Sequence, residues 1–97
     1  MDLGTAIKTV RKQKGVSQKG LAVLCSLAPN TLVNIERNYT MPSKATMRKI
    51  CNALNVPPAY ILFFSVSDED IAIEQKSLFD ALCQPIKNVL LSDISKR

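Results

Sequence analysis

Chemistry in this chain falls to amides and cations. Histidine, the commonest acid–base group, is absent from all 97 residues. Cys25, Cys51 and Cys83 are widely spaced among apolar neighbours. With no CxxC pair they read as buried, reduced thiols rather than zinc ligands. No glycine-rich phosphate loop is present, nor a carboxylate pair in a plausible pocket, so the expectation is no enzyme, no metal and no cofactor. Amides remain, among them Asn30 and Asn34, which stand four residues apart. On a helix that spacing puts both on one face, and a carboxamide can pair bidentately with adenine N6 and N7. The plainer alternative is that both are polar surface residues.

The cations are unevenly placed. Residues 1–64 hold nine Lys and Arg against Asp2 and Glu36, a net +7, whereas residues 65–97 hold four against six acids, a net −2. A basic body with an acidic tail suits a polyanionic partner. No apolar run approaches the roughly 20 residues that span a bilayer, and Met1-Asp2-Leu3-Gly4 does not open a signal peptide. A cytoplasmic protein without a membrane partner is expected.

These side chains must be positioned by short helices. The chain is 46 % hydrophobic but 5 % aromatic, which favours small aliphatic helix packing over a β-sandwich. Leu3, Ile7, Val10 and Lys14 form the first helical stripe, and Gly15 stops it. Ser17 caps a second helix carrying Leu21, Ala22, Leu24 and Cys25. After a break at Ser26-Leu27-Ala28, Pro29 opens a third helix with Leu32 and Ile35 inward and Asn38 as a left-handed terminator. Ser43 caps a fourth bearing Met47, Ile50, Cys51 and Leu54. Pro57-Pro58 leads into a fifth bearing Tyr60, Ile61 and Leu62. Past Phe64 the chain turns acidic, and Ile71, Leu78, Leu82, Ile86, Val89 and Leu90 mark an amphipathic stretch that Pro85 should kink or split. Ser95-Lys96-Arg97 should fray. The domains expected are 1–64 and an acidic linker plus helical segment over 65–97.

The run SQKGLAVLCSLAPNTLVNIERN, Ser17 to Asn38, gives two short helices joined by a tight turn, a shape a duplex groove accepts. At this point residues 5–64 resemble the Xre/Cro/C1 family of helix-turn-helix regulators, and also restriction-modification controller proteins. The likeness lies in Ser17-Gln18 followed by Leu21-Ala22, Ile35-Glu36-Arg37, Pro42-Ser43 and Leu54-Asn55-Val56. It implies an all-α, compact five-helix, lambda-repressor-like DNA-binding domain with an additional C-terminal amphipathic segment. It further implies that Pro29, Asn30, Val33 and Asn34 read bases, with Val33 against a thymine methyl. Ser17, Gln18, Lys19, Thr31, Arg37, Lys44 and Arg48 are implied for the DNA backbone, with Gln18 also bracing the third helix. For Gln18 a plain helix cap, and for Lys19, Lys44 and Arg48 a solvated charged face, remain open. Arg11 and Glu36 match a family pair that is structural. Two positions depart from the family: Ala28 replaces the usual Ser/Thr cap and Ser26 the common glycine of the turn.

One such helix reads only a few base pairs, so a homodimer on a palindromic operator, with half-sites roughly 34 Å apart, is expected. Two surfaces offer themselves as interface, Tyr60 with Phe63 and Phe64, and the stripe Leu78, Leu82, Ile86 and Val89; the alternative for the stripe is packing on its own domain. The function expected is a sequence-specific transcriptional regulator on double-stranded DNA, most simply a repressor. The alternative is a protein-interaction module, such as an antitoxin whose acidic tail binds a basic partner.

Overall fold

Each short segment becomes a helix because it carries its own start and stop. The computed structural model describes residues 2–97, whose regular elements are all helical. Met1, at which the first expected domain begins, lies outside the described residues. α1 (Leu3–Gln13) opens on Asp2, whose Oδ1 accepts from the Thr5 backbone N–H at 2.9 Å. That bond, reinforced by the Thr5 hydroxyl, holds the Asp2 carboxyl below the ordinary carboxylate range. Gly15, at φ 71°, turns the chain out of α1. Ser17 caps α2 (Gln18–Leu24), accepting from Gly20 N–H at 2.9 Å. α3 (Pro29–Glu36) starts from Ala28, whose side chain makes no capping bond, and leans on Pro29 to preset its first φ. Asn38, at φ 63°, ends it in the left-handed region. Ser43 and left-handed Asn55 bound α4 (Lys44–Leu54), and Pro57-Pro58 starts α5 (Pro58–Ser65). Two single 3₁₀ turns, Asp68–Asp70 and Ile73–Gln75, lead to α6 (Lys76–Lys96).

The core is aliphatic. Ala6, Ile7 and Val10 of α1 meet Leu21 and Ala22 of α2, Leu32 and Ile35 of α3, Ile50 and Leu54 of α4 and Ile61 of α5. The architecture is the all-α, lambda-repressor-like arrangement that the periodicity and the resemblance imply. Gly4 marks a close crossing. A Cβ there would run into the carbonyl oxygens of Ile35 and Glu36, so α1 lies directly against the end of α3. Burial pushes the Cys25 and Cys51 thiols up, leaving both poor nucleophiles at neutral pH.

Of the kink or split expected at Pro85, the split does not occur: α6 runs through it for 21 residues. Proline removes the N–H that would bond the carbonyl of Ala81, and since both residues are exposed, water can satisfy that oxygen. Nor does the C-terminus fray. Ile94 is fully buried in the core, Gln13 Nε2 donates to the Leu91 carbonyl and the Ser95 hydroxyl, and Arg97 Nε donates to Asp93 at 2.8 Å.

The α2–α3 turn stores strain. Ser26 sits at φ 56°, where a Cβ crowds the following carbonyl by about 1–2 kcal/mol. Ser26→Gly relieves this at the expense of a floppier unfolded chain, for an expected net gain of about 0.5–1 kcal/mol. Denaturant titration checks it, and a midpoint that stays put or falls would show Ser26 to be unstrained.

Candidate nucleic-acid interface

α3 has two unlike faces. Leu32, Ile35 and Glu36 point into the protein, while Pro29, Asn30, Thr31 and Asn34 are exposed and Val33 is half-buried. The exposed face therefore carries two carboxamides, a hydroxyl and an apolar edge. Its backbone is fixed at the far end, where the Asn34 carbonyl accepts from the N–H groups of Tyr39 (2.9 Å) and Thr40 (3.3 Å). Arg37 lies exposed just past the last turn.

What aims this face is a buried ionic clamp. Arg11 of α1 grips Glu36 with two parallel bonds, Nε to Oε2 at 2.8 Å and Nη2 to Oε1 at 3.0 Å. Its remaining Nη1 donates to the Val16 carbonyl at 2.9 Å, pinning the α1–α2 turn. Gln18 Nε2 of α2 adds a third donor to the carboxylate at 3.2 Å. Both charged residues are only 7 % exposed. One carboxylate thus fixes α1, α2 and α3 together, and the orientation of the exposed face depends on it. Arg11 and Glu36 are thus paired within the fold, and the half-buried Gln18 reaches α3.

A second tie was not legible. Asn38 reaches back across 34 residues, accepting from Gly4 N–H at 2.9 Å and donating to Asp2 Oδ1 at 2.7 Å. The sequence marked Asn38 only as a helix terminator; nothing in the spacing showed that its amide would also stitch α3 to the start of α1. Tyr39 and Met41, in the loop after α3, are exposed large side chains that the sequence reading gave no role.

Unlike buried Arg11, the cations expected at the DNA backbone lie on the surface. Lys19, Arg37, Lys44 and Arg48 are exposed, and Lys44 and Arg48 lie four apart on one face of α4. Ser17 is exposed, with its Oγ accepting the capping bond and its O–H still free to turn outward. The helix ends have a matching bias: none of α1 to α5 has an acidic residue in its first turn. Carboxylates there would stabilise each helix through its dipole by about 0.3–1 kcal/mol, and α4 instead begins with Lys44. Helix N-termini without carboxylates, those of α2 to α5, suit an anion better than that of α1, which Asp2 caps.

The other expected surfaces divide. Tyr60 is taken up inside the chain, donating its hydroxyl to Asp93 at 2.8 Å under the Arg97 guanidinium. Phe64 packs against the core and stacks edge-on with Phe63. Leu78, Leu82, Ile86 and Val89 all remain exposed. Among the described residues no group of three His, Cys, Asp or Glu could hold a metal ion, and no helix is long and apolar enough to cross a membrane.

Fold and site together define a helix-turn-helix protein. A sequence model described as Helix-turn-helix matches residues 7–61, and the chain belongs to that family. It is 37 % identical over 62 residues to the HTH-type transcriptional regulator ImmR of Bacillus subtilis (strain 168), covering 64 % of this chain and 49 % of that protein. It is 42 % identical over 55 residues to the HTH-type transcriptional regulator SutR of Escherichia coli (strain K12), covering 57 % of this chain and 31 % of that protein. It is 28 % identical over 81 residues to the Immunity repressor protein of Bacillus phage phi105, covering 84 % of this chain and 54 % of that protein. The chain thus matches about half, or less, of each of these relatives, and all three are regulators by name rather than enzymes.

Proposed function

We propose that this protein is a sequence-specific, double-stranded-DNA-binding transcriptional regulator, acting as a repressor in the cytoplasm and not as an enzyme. It reads a palindromic operator as a homodimer, with α3 in the major groove. Residues 1–64 form the reading unit and 65–97 the segment that joins two copies. The observation that carries the reading is the exposed face of α3, with Asn30 and Asn34 one turn apart beside Pro29 and Val33. That face is held at a fixed angle by the buried Arg11–Glu36 clamp. Carboxamides there can pair with adenine edges, and Val33 can lie against a thymine methyl. Ser17, Gln18, Lys19, Thr31, Arg37, Lys44 and Arg48 then meet phosphates, which fix register without reading sequence. The names of the three relatives point the same way.

Selection of bound oligonucleotides from a random duplex pool tests this. The protein should enrich one inverted repeat, with half-site centres roughly one helical turn apart. Asn34→Ala should relax the preference at one symmetric pair of positions, weakening the selected site by about 1–3 kcal/mol while leaving non-specific binding unchanged. An Asn34 variant that selects the same sequence with the same strength removes that residue from the readers.

A further inference from the structure

α6 leaves one face bare. Leu78, Leu82, Ile86 and Val89 are 63, 61, 47 and 67 % exposed. At about 100° per residue these four fall on one narrow stripe. The charged residues of the same stretch, Lys76, Asp80 and Lys87, instead follow the opposite row, shared with the buried Cys83 and Ile94. The bare stripe is therefore uncharged as well as apolar. Single exposed aliphatic side chains are ordinary, but four in a row on a helix are not. Nor can α6 roll to hide them, because its last turns are bolted down by Ile94 in the core, by Gln13 and by the Tyr60–Asp93 bond.

We propose that this stripe is the seam between two copies of the chain, with the two α6 helices antiparallel across a two-fold axis. The inference rests on the dimeric reading above and names its interface. Two observations select a second copy in this direction. First, the stripe is self-complementary when reversed. The midpoint of Leu78 and Val89 and that of Leu82 and Ile86 coincide within about half a residue, so reversal sets Leu78 on Val89 and Leu82 on Ile86. Such a patch meets itself, as an isologous interface requires. Second, the approach to α6 is acidic, with Glu69 and Glu74 exposed, while its end carries the exposed cation Lys96 beside the mutually neutralised Arg97–Asp93 pair. Antiparallel pairing lays each acidic approach beside the partner's basic end and opposes the helix dipoles; parallel pairing stacks like on like.

Disulfide trapping reads the direction. In the antiparallel seam the Cα atoms of Leu78 in the two copies lie about 16 Å apart along the axis, well beyond the roughly 7 Å a disulfide can bridge. In a Cys83→Ser background, Leu78→Cys and Val89→Cys proteins should each stay unlinked alone and should link when mixed. Both positions are exposed, so neither change threatens folding. In parallel, sedimentation should find the unmodified protein dimeric. Leu82→Glu with Ile86→Glu should be monomeric at the same concentration, with unchanged helix content and the melting temperature the unmodified protein shows when diluted to monomer. Self-linking by either cysteine variant, a dimer that survives the double glutamate change, or a protein monomeric throughout overturns the seam. A dimer that survives while operator selection succeeds strikes only the seam; failed selection by a seam-linked dimer strikes the DNA-binding reading instead.

Discussion

Arg11→Met is expected to remove about 3–5 kcal/mol of folding stability, the cost of leaving a buried carboxylate without its partner. Against a total of about 5–15 kcal/mol for a domain this size, that is from about a fifth to the whole of the folding free energy. The size follows from the geometry. Glu36 accepts both arms of the guanidinium and has almost no water to fall back on, so methionine strands it with Gln18 as its one remaining side-chain donor. Glu36→Leu should be comparably damaging, because Arg11 would keep only the Val16 carbonyl. Arg11→Met with Glu36→Leu should recover most of the loss, since replacing a buried ion pair by apolar residues of similar volume is often neutral or stabilising. Chemical denaturation of all four proteins gives the cycle. Two single losses that simply add in the double variant would mean the charges do not depend on each other. The recovered double variant carries a second lesson. It keeps the fold but lacks the three-helix clamp, so if α3 is aimed by the carboxylate, specific binding should fall even where stability returns.

The clamp also shows how far residue types and spacing carry a reading. Helix starts were legible because capping is local. Ser17 and Ser43 each bond an N–H three residues on, Pro29 presets its own φ, and Asn38 and Asn55 tolerate left-handed backbone. The exposed face of α3 was legible because Leu32 and Ile35 fix the inward side, and Asn30 and Asn34 must then point outward. Long-range polar contacts were a different matter. The Arg11–Glu36 pair came through resemblance alone, and the Asn38 bridge to Gly4 and Asp2 left no trace, because no periodicity links residues 34 apart. The tail was only partly legible for a related reason. Pro85 and Ala81 are both exposed, and whether a proline breaks a helix depends on what lies outside it. Tyr60, taken as an outward apolar surface, found its partner in Asp93, 33 residues away. Arg97 first and Tyr60 second hold that carboxyl below the ordinary range, so the tether persists in mild acid. It is lost only as pH falls below the unfolded aspartate value of about 3.9 and through the lowered folded one.

Operator affinity should fall steeply with salt, by about 10⁴-fold between 50 and 200 mM, if all the exposed cations proposed for the backbone engage phosphates. Lys19, Arg37, Lys44 and Arg48 give four per copy, and a two-fold complex doubles them. Each neutralised phosphate contributes about 0.9 to the slope of log affinity against log salt, so eight predict a slope near −7. The doubling makes one substitution diagnostic. Lys44→Ala deletes one contact in a monomeric complex but two in a dimeric one, so its slope should be shallower by about 2 rather than about 1. Asn34→Ala, which touches no phosphate in this arrangement, should weaken the operator complex at every salt concentration without changing the slope. Fluorescence titrations of the three proteins on one duplex separate the cases. A shared change of slope would put Asn34 among the phosphate contacts. An unchanged slope for Lys44→Ala would return that lysine to solvent, and a flat response for the unmodified protein would remove the groove-docking arrangement altogether. The magnitude matters more than the sign here, because any basic protein loses affinity in salt. Only a two-fold complex loses two contacts for one changed codon.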